Sequence, residues 1–391
     1  MKQLIIDEID RYREDFYNIS IYIGENPELG HEEFKACAVL TEALRKHGFS
    51  VQRGTCDLQT AFTATFDSGK DGPVIGYMAE YDALPEVGHA CGHNLIGTMG
   101  IAAGIGLSKV INDIGGKLIV FGTPAEETKG AKVTMAEAGI FNSLDVAIMV
   151  HPLDQFMKSG SSLAMDAIQF EFFGKSAHAA ASPHFGINAL DAVLQTFNSI
   201  NALRQHITSD ARIHGIITEG GKAANVVPDY AVAQFYVRAA KRGYVNELVE
   251  KVKKCAEGAA LQTGTVMKAS NYEFSYDDMI TNTSLSEAFT KELISLGVNE
   301  TEIFSQRDGF GSLDMGNVSQ VVPAIHPYIK ICNEPYACHT HEFREAAMSE
   351  QAREAMILGA KAMALTGFEV LTNKELLNEI KKEFKKQKDN A

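Results

Sequence analysis

The sequence is poor in the features that mark a secreted, membrane-bound or nucleic-acid-binding protein. Its six cysteines stand far apart, without disulfide-framework spacing, which fits a reducing compartment. Basic residues are outnumbered, 36 Lys and Arg against 50 Asp and Glu. The formal net charge of -14 argues against nucleic acid or an anionic membrane surface as a partner. An anionic substrate would need a dedicated arginine or lysine. No run approaches the roughly 18 apolar residues of a membrane-spanning helix. The opening MKQLIIDEIDRYRED passes quickly from a brief apolar stretch to charge, unlike a secretory leader. Internal repeats and low-complexity segments are missing too. The expectation is a soluble, cytoplasmic protein.

What is present is length enough, at 391 residues with 45% apolar composition, for one large domain or two. Ile5, Ile6, Ile9, Tyr12 and Phe16 share an apolar helical face, and a second helix runs from Glu33 to Lys46. Strands are expected at 59–66, 73–78, 117–122 and 145–150, alternating with helices from Asn94 and Ala131. That alternation predicts a mostly parallel sheet covered by helices. Near Ser162 the order becomes strand, helix, strand, strand, helix, strand over about a hundred residues, the ferredoxin-like unit. The expected division is 1–163 and 277–391 as an α/β catalytic domain, with 164–276 an inserted ferredoxin-like α+β lid. After the lid come helices at 284–296 and 345–365, a strand at 321–325, and a charged helix-like tail from Lys374.

The most informative stretch is EYDALPEVGHACGHNLIG, Glu80 to Gly97, which gathers carboxylates, two histidines and a cysteine behind an apolar strand. Sulfur, imidazole and carboxylate together are the donor set of a borderline divalent metal. Ligands in open α/β sheets collect at the carboxyl ends of parallel strands. Four apolar strands here run into such residues. PVIGYMAEYDALP leads to Asp82, Cys91 and His93; KLIVFGTPAEE to Glu126 and Glu127; DVAIMVHP to His151. VVPAIHPYIKICNEPYACHTHEF leads to His339 and His341. Alone, Cys91 would read as an inert buried thiol, the glutamate pair as a solvated helix start, and His151 as a core histidine. Their convergence points to metal chemistry. In the lid, Arg238 ends a strand as a candidate for holding a substrate carboxylate, against the alternative of a surface ion pair. The loop Gly309–Gly316, with Asp314, Asn317 and Ser319, reads as a pocket wall and lacks phosphate-loop spacing.

These residues resemble the aminoacylase and carboxypeptidase-G family of dinuclear metallopeptidases, and within it the amidohydrolase branch. That branch includes aminobenzoyl-glutamate hydrolases, indole-acetyl-amino-acid hydrolases and Xaa-Arg dipeptidase-like proteins. The resemblance rests on the Asp82-Ala-Leu-Pro stretch, Cys91-Gly92-His93, Pro124-Ala125-Glu126-Glu127, His151-Pro152, Gly174-Lys175-Ser176-Ala177-His178, Asn225-Val226-Val227-Pro228 and the His339 segment. It implies a zinc-peptidase-like catalytic domain and two divalent ions, Zn2+ or Mn2+, held by Cys91, His93, Glu127, His151 and His339. His339 is preferred to His341 because the family's histidine stands four positions before a Phe, here Phe343.

Glu126 is then the general base, Asp82 orients the ligands, and His178 donates to a developing oxyanion with help from Asn225. Asn94 departs from an acidic residue common in the family, and His89 and His31 read as structural. A homodimer through the lid is implied. The expected activity is metal-dependent hydrolysis of the amide bond in a small-molecule N-acyl amino acid or dipeptide with a free carboxylate. Rivals are a carbamoyl-amino-acid hydrolase and a catalytically silent small-molecule-binding protein on the same scaffold.

Overall fold

The computed structural model describes residues 1–305 and 311–389. The chain divides into two units. One comprises Met1–Ser161, Met279–Phe310 and Asp314–Ala391; the other comprises Ser162–Asp278 and Gly311–Leu313.

In the first unit the described residues form a six-stranded sheet in the order Ser50–Arg53, Phe62–Asp67, Lys117–Gly122, Val74–Ala79, Val146–Ile148, Ala324–Ile325. The first two strands run antiparallel at one edge, and the last four are mutually parallel. The inner strands read as apolar runs because helices leave neither face to water. The helix His93–Ile114 lies directly on the strand Val74–Ala79. A Cβ at Gly97 would stand 2.9 Å from the Glu80 carbonyl oxygen, and one at Gly100 2.8 Å from that of Met78, so only glycine permits this approach. Since the four strands are parallel, the segments after Ala79, Gly122, Ile148 and Ile325 leave at the same edge. A smaller sheet sets His151 beside Tyr328 in parallel register.

Several boundaries differ from the sequence expectation. The first helix breaks at Tyr12 into Lys2–Arg11 and Arg13–Glu25, although Ile5, Ile9 and Phe16 are buried as its apolar face requires. The helix expected at 345–365 is two, His341–Ala347 and Glu350–Thr372, because Ser349 caps the second by accepting the Ala352 N–H. Two helices, His93–Ile114 and Glu350–Thr372, do reach the length and mean hydropathy of a membrane span, against expectation. Their apolar windows are 89% and 67% buried within the fold, where the two pack on each other.

The second unit is a four-stranded antiparallel sheet in the order Val266–Asn271, Ala164–Phe173, Tyr230–Ala239, Arg212–Glu219, with helices Ala189–Leu203 and Arg242–Thr263 packed against it. This is the ferredoxin-like βαββαβ order. Alternation along the strands sends Ile168, Phe170 and Phe172, and Ala231, Ala233, Phe235 and Val237, into one core. Each such phenylalanine contributes about 1.5–3 kcal/mol relative to exposure. Asn188 caps the first helix, its side-chain oxygen accepting the Leu190 N–H at 2.9 Å.

Candidate metal centre and catalytic site

The strand Val74–Ala79 hands the chain to Glu80, Tyr81 and Asp82, all buried. Asp82 ties two donors together. Its carbonyl oxygen and Oδ1 lie 3.0 and 3.1 Å from His93 Nδ1, and its Oδ2 accepts the Glu127 N–H at 3.0 Å. With Nδ1 engaged by Asp82, Nε2 is the ring nitrogen left to face a metal. Burial opposes ionisation of Asp82, but the charge and hydrogen bond of His93 prevail and hold its carboxyl below the ordinary value.

Between Cys91 and His93, Gly92 takes φ 79°, a left-handed conformation natural to glycine, and the helix begins immediately after it. A side chain at Gly92 would also meet Pro152 Cγ at 2.4 Å. His151 follows the strand Val146–Ile148. Its Nδ1–H donates to the Pro152 carbonyl at 2.7 Å, which aims the Nε2 lone pair at Cys91 Sγ, 3.4 Å away. Burial, then the charge on His93, lowers this imidazole to about 3, so it is neutral.

The two adjacent glutamates after Lys117–Gly122 are driven apart. Glu127 Oε1 lies 3.1 Å from His339 Nε2 and 3.9 Å from His93 Nε2. Desolvation works against its charge, but His339 and His93 outweigh that and lower it. Glu126 keeps an edge toward solvent yet is raised well above the usual range, first by desolvation and then by Glu80, Glu127 and Asp314. His339 reaches Glu127 from a left-handed φ of 68°, its N–H bonded to the Ala90 carbonyl at 2.9 Å. His341 instead opens the helix His341–Ala347 and is exposed.

Three donor triples result: Cys91, His93 and His151; Cys91, Glu127 and His339; Glu80, His93 and Glu126. Within each, the donor atoms all lie within 4.8 Å of one another. The first two triples contain all five ligands implied by the resemblance. His93 Nε2 and Glu127 Oε1 are buried without a hydrogen bond among the described residues. Glu80 Oε1 stands 3.0 Å from His93 Nε2 but outside hydrogen-bond geometry. Burial should depress His93, yet Glu80, Asp82 and Glu127 raise it well above its ordinary value. Unsatisfied buried polar atoms in an excess of negative charge are what a cation would relieve. The residues fit a divalent metal.

Some important groups escaped the sequence reading. Lys132 is fully buried, its Nζ 2.5 Å from Glu80 Oε2 and 2.6 Å from Asp314 Oδ1, and its N–H donates to Asp314 Oδ2 at 3.2 Å. Desolvation penalises this ammonium, but Asp314 and Glu80 hold it charged. Asp314 is thus a buried counterion rather than a pocket wall. Ser319 caps backbone, accepting the Ile280 N–H and donating to Gly316, while Asn317 is buried on the same short helix. Gly309 and Phe310 of that loop lie outside the described residues. A lysine in the apolar stretch AKVTMAE was the available signal, since lysine is buried only when paired.

Cys338 hydrogen-bonds Cys91; that contact, then burial and Glu127, pushes the Cys91 thiol well up. The His326 ring lies tilted against that of His151, centroids 5.4 Å apart, and burial keeps it neutral. Asn94 turns away from the donors, its amide bonded to Ser20 Oγ at 3.2 Å. His89 is buried in the fold, whereas His31 is half-buried and bonded to the Lys129 carbonyl.

The second unit carries the remaining candidates. His178 Nδ1 accepts the N–H groups of Ala180 and Ala181 at 3.3 and 3.1 Å, which places the proton on Nε2, free to donate. Asn225 is its neighbour: the Ala179 N–H bonds the Asn225 carbonyl at 3.0 Å, and His178 bridges Val226. Arg238 is held by Ser312 Oγ at 3.3 Å and lies over the Tyr236 ring at 5.0 Å. Its buried Nε has no hydrogen-bond partner among the described residues.

The family described as "Peptidase dimerisation domain" matches residues 165–264. The chain is 36% identical to the Xaa-Arg dipeptidase of Mus musculus, over 98% of this chain and 92% of that protein. It is 29% identical to a p-aminobenzoyl-glutamate hydrolase chain of Escherichia coli, over 99% and 95%. The crystal structure of a dinuclear metal binding peptidase of the M20 family from Bacillus subtilis matches with a TM-score of 0.65, at 20% identity over 91% of this chain and 98% of that one. At such identity the likeness speaks for the fold alone. Similarity end to end with the dipeptidase, together with the lid match, decides the family: this chain belongs to the M20 metallopeptidases of the aminoacylase and carboxypeptidase-G type, in their amidohydrolase branch, and is a hydrolase of peptide or amide bonds.

Proposed function

We propose that this protein is a dinuclear enzyme hydrolysing the amide bond of a dipeptide or N-acyl amino acid that bears a free carboxylate. The observation that carries the reading is the pair of donor triples meeting at Cys91, with His93 Nε2 and Glu127 Oε1 buried and unsatisfied between them. Cys91, His93 and His151 would hold one ion; Cys91, Glu127 and His339 the other. Zn2+ or Mn2+ suits this mixture of thiolate, imidazole and carboxylate. Such ions, when bound, polarise a carbonyl and make water more acidic.

The protein's own groups do the rest. Glu126, whose proton affinity is raised by burial and then by Glu80, Glu127 and Asp314, removes a proton from the attacking water and returns it to the departing nitrogen. Asp82 keeps His93 in one tautomer and steadies the Glu127 backbone. His178 offers its Nε2–H to the developing oxyanion, with Asn225 beside it. Arg238 offers an unsatisfied buried N–H to the substrate carboxylate. Xaa-Arg dipeptide and aminobenzoyl-glutamate cleavage by the relatives both supply such a carboxylate.

The reading extends to a homodimer through the lid, supported by the dimerisation-domain match. It also extends to a cytoplasmic location, where a reducing medium keeps Cys91 available as a thiolate donor. The test is a panel of dipeptides, N-acyl and N-carbamoyl amino acids assayed after reconstitution with Zn2+ or Mn2+. Metal-dependent release of a free amino acid supports the proposal. Ammonia release from carbamoyl substrates alone would redirect it, and failure to bind either ion would end it.

A further inference from the structure

The loop carrying Glu126 and Glu127 is gripped from behind by a segment that takes no part in the chemistry proposed above. Ala125, just before the glutamates, adopts φ 65°, a left-handed conformation that a residue with a Cβ takes only when its surroundings impose it. Glu33 is one such constraint. It is fully buried; its Oε1 accepts the Ala125 N–H at 2.9 Å and its Oε2 accepts the Thr60 hydroxyl at 2.8 Å. Two residues earlier His31, itself at φ 66°, donates from Nε2 to the Lys129 carbonyl at 3.0 Å. Between these contacts Gly30 presses on the same loop: a Cβ there would stand 2.4 Å from Thr128 Oγ1 and 2.9 Å from Ala125 Cβ.

We propose that Gly30–Glu33 is a clamp that sets the direction in which Glu126 and Glu127 leave their loop, with Glu33 as its positioning residue. Both ends of the loop are held, at Ala125 and at Lys129, so the two glutamates between them cannot exchange places or swing away together. Glu33 touches neither substrate nor any proposed metal ligand; it acts only through the Ala125 N–H. A carboxyl group is not required for this, since an amide oxygen accepts the same bond. The inference rests on the roles assigned above to Glu126 and Glu127, but the clamp itself is a matter of backbone order and can be measured without a substrate.

The experiment compares full-length wild type, Glu33→Gln, Glu33→Ala and His31→Ala by two readouts. One is deuterium uptake of the peptide covering residues 123–130; the other is Zn2+ affinity from competition with a chelating indicator. Glu33→Ala should exchange faster in that peptide, with the strand Lys117–Gly122 still protected. It should also bind Zn2+ about 10-fold more weakly, as loss of a supporting hydrogen bond does at metal sites. Glu33→Gln should match wild type in both readouts. Unchanged exchange in Glu33→Ala, or loss in Glu33→Gln equal to that in Glu33→Ala, overturns the proposal. His31→Ala changes a half-buried side chain, not the fully buried Glu33, and should fold even if Glu33→Ala does not. Its faster exchange near Lys129 supports the clamp, and unchanged exchange refutes it. Were wild type to bind no Zn2+, the metal reading would fail while the exchange data still judged the clamp.

Discussion

Cys91 Sγ lies 3.4 Å from His151 Nε2 across sixty positions of sequence, and the same sulfur belongs to a second donor triple with Glu127 and His339. A side chain shared by both triples should matter more than one confined to either. Cys91→Ala is therefore expected to lose nearly all bound metal, whereas His339→Ala retains about one ion per chain. Elemental analysis of purified protein decides this; equal metal content in the two variants contradicts the shared role.

Glu126 sits in the loop beside the donors with its proton affinity raised. Glu126→Gln preserves shape and removes the transferable proton. Turnover should fall by about 10²–10⁴-fold with metal content intact. Near-normal turnover in a fully metallated variant would transfer the role to another residue.

His178 presents an Nε2–H because its Nδ1 is occupied by two backbone donors. His178→Ala should lower kcat by about 10²–10³-fold, the usual worth of one oxyanion donor. Zn2+ affinity should not move. An unchanged kcat removes His178 from the mechanism.

Lys132 is enclosed with Glu80 and Asp314. Lys132→Met leaves two buried carboxylates without their cation, which should destabilise the fold by about 3–5 kcal/mol. Replacing Asp314 by Asn in the same background should recover part of the loss. Urea unfolding measures both, and a loss below about 1 kcal/mol would show that solvent reaches the triad.

Glu33 carries a pH signature. Burial, then the charge of Asp82, lifts its carboxyl from the ordinary 4.5 to about 7. An acid that holds its proton more tightly when folded contributes full stability below the lower value. That contribution drains away as pH rises through the higher one. The gap corresponds to roughly 3 kcal/mol. In metal-free protein, Glu33→Gln should gain stability relative to wild type between about pH 4.5 and pH 8. A pH-independent difference in urea midpoints would count against a buried, titrating Glu33.

How much of this was legible depends on the range of the interaction. The strands Lys117–Gly122 and Tyr230–Ala239 could be bounded to the residue, because apolar runs ended by turn residues are local signals. The break at Tyr12 and the new helix start at Ser349 were missed, since an apolar face continues across each interruption and only cap geometry reveals it. Asp314 looked like a loop residue; its partner Lys132 lies 182 positions away, and no periodicity connects them.

Read alone, the chain determined the alternation of strands and helices, the inserted lid, and the kinds of donor that follow each parallel strand, because these follow from side-chain chemistry and short-range pattern. Only tertiary structure decided which donors share an ion's reach and that Glu33 and Lys132 stand behind the site. Those relations depend on left-handed turns at Gly92, Ala125 and His339 and on buried charge pairing between distant segments. Neither has energetic meaning until the sheet has brought the segments together.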